Sequence, residues 1–392
     1  MSNSKFKIEF TLKQHTPIIH FQSDQSGATI RATELKPKLD KFLLQYFISE
    51  KIDFSAFLMS GQDTAFNYKV RIEEKIVDKG LKNIGGLPDD KLFMGNMGGG
   101  NKKQKYYRNT DTVVILKTFN TKLKDTIHML FPNFMMQTNF GGGTSKGFGS
   151  YTVKDREITR YPSNTYKFTI DSSKLDDLTN SISYFYKMLK SGINECDKNN
   201  TPVFYGKSLL WKYVNNELKN TWDKKAIKQE FFSEVLEKQK IIHNNSDILS
   251  SSGKKAFLYR DLLGLSKDSD WKDPYNVTIK KEHKSNSQEK EIKRFKSPIR
   301  FKPVLTDNGY EVFYWGEEIP DRILNVKFRI FIDKNDFYID TPNSFSIGAY
   351  LEFVSKQKLT THINNKYQHN TNPIYKILNP IFNSIQKVKS NG

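Results

Sequence analysis

Residues 5–12 (KFKIEFTL) alternate strictly, with Phe6, Ile8, Phe10 and Leu12 on one side and Lys5, Lys7, Glu9 and Thr11 on the other. A period of two puts the apolar set on one face of a half-buried strand. A loop ending near Gly27 follows. Over residues 33–48 the period changes, and Leu35, Leu39, Phe42, Leu43 and Phe47 recur at three- and four-residue intervals. That is the stripe of an amphipathic helix. Thr33 is its expected N-cap, and Pro37 falls early, where the first turn tolerates it. Residues 66–77 alternate in part and predict a second strand. The run 112–119 (TVVILKTF) is continuously apolar and β-branched, which predicts a buried third one. Residues 80–105 read as loop, with Gly98-Gly99-Gly100 leading into Lys102-Lys103-Gln104-Lys105. A short amphipathic helix over 121–131, a glycine-rich loop over 139–150 and a strand over 150–154 complete the order β-α-β-β-α-β, the ferredoxin-like pattern.

A second unit starts near Tyr166, where YKFTI alternates like a strand. Residues 175–191 carry a helical pattern, and residues 207–265 are lysine-rich with apolar positions at helical spacing. Residues 266–294 are polar, contain Lys280-Lys281, Lys284 and Lys293-Arg294, and read as an exposed loop. Strands are expected over 297–304, 310–315 and 325–333, and a last helix over 373–388. The expected fold class is α+β: two ferredoxin-like (RRM-like) domains, over 1–160 and 161–392, with a helical insert in the second at about 207–265. No repeat of 20–50 residues is visible, which speaks against a solenoid.

Charge changes this picture most. The chain has 392 residues, with 62 Lys and Arg against 43 Asp and Glu, a net charge of +19. Such a balance attracts polyanions, either nucleic acid or an anionic membrane. No apolar stretch approaches the 18 residues of a membrane span, and the N-terminus carries no apolar signal-peptide core, so nucleic acid is the better match. Base composition of the genome is a second source of Lys- and Asn-rich chains, so charge alone permits RNA or DNA without requiring either. The single cysteine, Cys196, excludes an internal disulfide and a cysteine-based zinc site and suits a reducing, cytoplasmic setting. No His, Asp and Glu cluster has metal-ligand spacing, so no metal or other cofactor is expected.

The sharpest segment is Asn139-Phe140-Gly141-Gly142-Gly143-Thr144-Ser145-Lys146-Gly147-Phe148-Gly149-Ser150. Its glycines let backbone amides approach a ligand closely, and successive amides can form an anion-binding concavity. Lys146 adds a positive charge beside them, and Phe148 offers a ring on which a base could stack. The segment is not a P-loop, because no Gly-Lys-Ser/Thr tripeptide occurs in it, and it leads into a strand rather than a helix. FGGGTSKGFGSY resembles the glycine-rich loop of RAMP-superfamily CRISPR proteins. The opening is similar too: a first strand, Thr16-Pro17-Ile18-Ile19-His20, a loop, then Ile30-Arg31-Ala32-Thr33-Glu34-Leu35-Lys36. Arg294-Phe295-Lys296-Ser297-Pro298-Ile299-Arg300-Phe301-Lys302-Pro303 is similar to the Ser-Pro strand of two-domain members. Within the superfamily the chain looks most like the two-domain subunit that caps one end of the type III-B (Cmr) complex. That resemblance implies a non-catalytic RNA-binding subunit of an antiviral effector ribonucleoprotein, with CRISPR RNA, target RNA and other RAMP subunits as partners. On this chain it points to Arg31, Lys36, Gly141, Gly142, Gly143, Ser145, Lys146, Gly147, Phe148 and Gly149 as RNA-binding residues. Lys38 and Lys41 read as solvated helix lysines.

Two catalytic readings stand beside it. Asp24 is the only acid in the loop after the first strand, where backbone subunits of such complexes carry a target-cleaving aspartate, but the loop is short and lacks their glycine-rich surroundings. His15 and His20 are candidate general acid–bases for metal-independent CRISPR-RNA processing, since histidine titrates near neutrality. Processing enzymes carry their glycine loop towards the C-terminus, whereas here it ends near residue 150. A third reading is a basic, non-catalytic interaction protein.

Overall fold

A computed structural model describes residues 5–19, 30–75, 106–107, 111–199, 201–243, 256–271, 277–284 and 291–389. In chain order the elements that matter are β1 (Lys7–Gln14), α1 (Ala32–Ser49), β2 (Lys69–Lys75), β3 (Asp111–Lys117), α2 (Thr121–Gln137) and β4 (Tyr151–Val153). They are followed by β5 (Tyr166–Ile170), α3 (Leu175–Lys190), β6 (Ile193–Cys196), β7 (Pro202–Gly206), α4 (Leu209–Asn216), α5 (Asp223–His243) and α6 (Tyr259–Leu262). The remainder comprises β8 (Asp268–Trp271), β9 (Val277–His283), β10 (Ile299–Thr306), β11 (Gly309–Gly316), β12 (Lys327–Ile332), β13 (Asn335–Asp340), α7 (Ile347–Ser355), α8 (Pro373–Ser384) and β14 (Gln386–Lys387). The chain is thus a mixed α/β protein with several antiparallel sheets.

The backbone divides into two compact units, each assembled from separate stretches of chain: residues 1–183, 300–314 and 384–392 in one, and 184–299 and 315–383 in the other. In the first, a sheet of order β2-β3-β1-β4 carries the alternation read from the sequence. Ile8, Phe10 and Leu12 of β1 lie opposite Leu116, Val114 and Thr112 of β3. The apolar stripe of α1 is buried as expected, through Leu35, Leu39, Leu43 and Phe47. Arg31 rather than Thr33 is its N-cap, without a side-chain cap. α2 runs to Gln137, well beyond the 121–131 expected, and includes Pro132. Leu130, Phe131, Phe134, Met135 and Met136 are all buried, so packing outweighs the lost proline hydrogen bond. Phe131 stacks on Phe10 with ring centroids 4.3 Å apart. A second sheet of order β10-β11-β5-β14 pairs Tyr310, Val312 and Tyr314 with Ile170, Phe168 and Tyr166.

In the other unit the polar stretch expected as an exposed loop over 266–294 contains β8 and β9, part of a sheet of order β8-β9-β12-β13. Period-two burial explains the difference. Ile279 and Lys281 of β9 point inward, and Lys281, 3% exposed, places its ammonium 2.7 and 2.6 Å from the two carboxylate oxygens of Asp261 on α6. The inward lysine conceals the strand in the sequence. Burial pushes the Asp261 carboxyl up, but Lys281 and Arg260 outweigh it and leave it below its ordinary value. Nearby, Asp223 accepts from the N–H groups of Lys224 (2.7 Å) and Arg260 (3.1 Å). The ammonium of Lys190 donates to Gly264 O at 2.6 Å. The final helix ends at Ser384 rather than 388, because Gln386–Lys387 pair with β5 instead. β13 and α7 carry no counterpart in the sequence-based expectation.

Burial lowers the Lys190 pKa to about 8, with Asp261 opposing the shift. The unfolded chain therefore holds this proton more tightly, and the penalty of the buried charge is relieved as pH rises from about 8 towards the free-lysine value. Lys190→Met is expected to remove a stability gain on the order of 1 kcal/mol per pH unit over that window. Thermal melts of both proteins at pH 7.5, 8.5 and 9.5 test this; parallel pH profiles would count against it.

Candidate functional site

The ends of the glycine-rich loop are paired: Asn139 and Ser150 form an antiparallel bridge, and the Phe140 N–H donates to Gly149 O at 3.0 Å. So close an approach excludes a side chain. Gly149 has φ +65°, and a Cβ there would lie 1.8 Å from Phe140 O. At Gly141, φ +78°, a Cβ would lie 2.6 Å from Ile19 O, where the Gly142 N–H docks at 2.9 Å. Between them Thr144–Lys146 form a single 3-10 turn, flanked by left-handed Gly143 and Gly147.

Three elements hold the loop. After β1, the Thr16 hydroxyl donates to Gly147 O at 2.6 Å and accepts from the Ser150 N–H at 2.9 Å, while Pro17 O takes the Gly149 N–H at 2.8 Å. From α1, the Glu34 carboxylate accepts from the Gly141 N–H (2.9 Å) and from the Lys38 ammonium (2.6 Å). Lys38 also donates to Asn139 O at 2.8 Å and lies 4.9 Å from the Phe140 ring centre. From β10, Pro303 O accepts from the Ser150 hydroxyl at 2.7 Å, and Phe301 O accepts from the Asn139 amide at 2.8 Å. Between the latter two, fully buried Lys302 donates to Met135 O (2.7 Å), Thr138 O (2.8 Å) and Tyr151 O (2.7 Å). Burial, then the nearby Lys38 charge, pushes its pKa well below that of a free lysine. Three carbonyls nonetheless use all three N–H groups of an ammonium.

The expected binding residues therefore fall into distinct environments. The N–H groups of Gly141, Gly142, Lys146, Gly147, Phe148 and Gly149 all donate to acceptors within the chain. Phe148 is 4% exposed, its ring against Gly143. The accessible part is the crest, Gly143–Ser145, where Ser145 is half-buried; Lys146 follows it, half-buried as a residue but with its ammonium nitrogen buried. Arg31 is exposed at the start of α1. Lys36 turns elsewhere, pairing with Asp40 at 2.7 Å, donating to Phe66 O at 3.0 Å and covering the Tyr68 ring. Helix α1 brings Lys38 to the loop instead, a residue the sequence reading treated as a solvated lysine. The Glu34–Lys38 spacing of four was its legible signal; nothing in the pattern pointed to Lys302.

Among the catalytic candidates, His15 is 1% exposed. Its Nδ1 accepts from the Leu305 N–H at 3.0 Å, which leaves Nε2–H to donate to Thr152 Oγ1 at 2.8 Å. Both ring nitrogens are thus committed to the fold. His20 and Asp24 lie outside the described residues, as do Gly98–Gly100 and Lys102–Lys105. Among the described residues no group of His, Cys, Asp and Glu is placed to hold a metal, and no helix is long and apolar enough to cross a membrane.

Gly149→Ala and Lys302→Met are each expected to destabilise the protein by about 3 kcal/mol or more, the first through overlap and strained φ, the second by orphaning three carbonyls. Ser145→Ala on the crest is expected to stay within about 0.5 kcal/mol of the parent. Urea unfolding of the three variants separates these outcomes.

Residues 5–193 match the Cmr1 N-terminal domain and residues 205–387 the Cmr1 C-terminal domain. No curated protein matches the chain. The apo crystal structure of Cmr1 from Pyrococcus furiosus matches over 81% of this chain and 90% of that one, at 12% identity and a TM-score of 0.36. With both of its domains accounted for in order along the sequence, the chain belongs to the Cmr1 family, subunits of type III-B (Cmr) CRISPR effectors.

Proposed function

We propose that this protein is a non-catalytic RNA-binding subunit of a type III-B effector, holding CRISPR RNA or target RNA beside other RAMP subunits in antiviral defence. The observation that carries the reading is a net charge of +19 on a chain matched by Cmr1 domains over nearly its whole length. A family of ribonucleoprotein subunits supplies the reason for such a charge, and phosphate neutralisation supplies its use. The strand order β2-β3-β1-β4, with α1 after the first strand and α2 after the third, supports a ferredoxin-like fold for the N-terminal region.

On this reading the glycine loop serves chiefly as a rigid platform. Its crest at Gly143–Ser145, together with exposed Arg31, offers the RNA contacts, while the inward amides and the buried Phe148 hold the crest in place and the Lys146 ammonium nitrogen lies buried. Single-stranded RNA is the substrate class, because basic side chains meet phosphates without requiring a duplex groove.

The test is anisotropy of a fluorescein-labelled single-stranded RNA with the full chain between 50 and 200 mM salt. Affinity is expected to fall with salt, with a slope of log K against log salt of about −0.7 per phosphate contacted. Arg31→Glu is expected to weaken binding and flatten the slope. Absence of any RNA binding at 50 mM salt would overturn the proposal.

A further inference from the structure

Away from the glycine loop, the unit made of residues 184–299 and 315–383 holds an open cleft of about 1310 Å³. It exceeds the roughly 300–1,000 Å³ of small-molecule pockets, which points to an extended ligand. Its rim carries Lys284, Lys293, Arg294, Arg322 and Lys327, all exposed, against two carboxylates, Glu291 and Asp321. One of these, Glu291, is already engaged by Lys293 at 3.2 Å. A surplus of positive charge concentrated in a concave surface raises the local concentration of polyanions.

The cleft also has an aromatic and apolar lining. Tyr338, on β13, is 48% exposed, and the Lys284 ammonium stands 5.6 Å from its ring centre. Ile292, Leu324 and Val326 are half-buried beneath the basic rim, and Ile323 is buried. The frame is fixed by backbone: the Lys284 N–H donates to Lys327 O at 3.0 Å, the Ile292 N–H to His283 Nδ1 at 3.2 Å, and the Asn325 N–H to Pro342 O at 3.0 Å. Long cationic side chains thus project from an ordered rim around an exposed ring. Basic groups for the backbone and an aromatic face for a base are the two requirements of single-stranded nucleic-acid binding.

We infer that this cleft is a second single-stranded RNA site, in which Lys284, Arg322 and Lys327 take phosphates and Tyr338 stacks a base. The inference rests on the RNA-binding reading above and adds to it a contact surface separate from the glycine loop.

The experiment uses the full chain and a fluorescein-labelled 15-nucleotide oligouridylate. The triple variant Lys284→Ala/Arg322→Ala/Lys327→Ala is expected to bind at least tenfold more weakly, with a salt slope shallower by about 2. Tyr338→Ala is expected to lose at least about fivefold, in line with a stacked base. All four side chains are exposed, and matching thermal melts confirm that the variants are folded. If both variants bind like the parent while Arg31→Glu weakens binding, the cleft is not an RNA site and the broader reading survives. If the parent binds no RNA at 50 mM salt, both fall. Competition by polyglutamate as effective as by unlabelled oligouridylate would also overturn the inference, since it would make the cleft a general polyanion surface.

Discussion

The Lys302 ammonium sits at 0% exposure among three carbonyl oxygens, those of Met135 and Thr138 at the end of α2 and that of Tyr151 at the start of β4. A lone ammonium in such a place is costly, burial lowers its pKa accordingly, and full use of its donors recovers only part of the desolvation. The geometry provides that full use, and in doing so ties α2, β4 and β10 together on either side of the glycine loop. The end of a helix leaves its last carbonyls without intrahelical partners, so a cation there satisfies groups that would otherwise be orphaned. The loop can be spare in side chains because its surroundings are this firmly fixed.

Around that point the loop is held from within: most of its backbone N–H groups donate to acceptors in the chain. Thr16 links Gly147 to Ser150, Glu34 takes a glycine amide and a lysine together, and the Asn139 amide reaches Phe301 O. Positive φ at four glycines makes the path sterically accessible, and the hydrogen bonds select it. A segment that reads as a flexible, amide-rich cradle is instead a scaffolded turn with a narrow crest. Any ligand meets the crest and its neighbours rather than the glycines as a set.

The lysines divide in the same way. Lys36, Lys38, Lys190, Lys281 and Lys302 are committed to acceptors inside the fold. Others, such as Lys284, Lys293 and Lys327, remain at the surface, where they act on the field around the protein. Net charge therefore overstates the part available to a polyanion, and the arrangement of the exposed part decides where one would bind. The committed lysines also have a pH consequence, since burial lowers the pKa of Lys190, Lys281 and Lys302 alike.

The sequence by itself determined the elements whose apolar period is unbroken. The alternation of Ile8, Phe10 and Leu12 made β1, the stripe from Leu35 to Phe47 made α1, and the run from Val113 to Leu116 made β3. It also carried the glycine loop and the Thr16-Pro17 turn, because both depend on local backbone chemistry. What the tertiary structure alone decided lies where a side chain's character opposes its position. Lys281 inside β9, Lys302 inside β10 and Pro132 inside α2 each break the expected pattern, and each is accommodated by atoms distant in sequence: Asp261, three backbone carbonyls and a packed apolar core. The same holds for Phe148 and Lys36, which composition offers as ligands and packing turns inward. A period records only which residues are apolar; the partner that makes a polar residue tolerable inside exists only once the chain has folded.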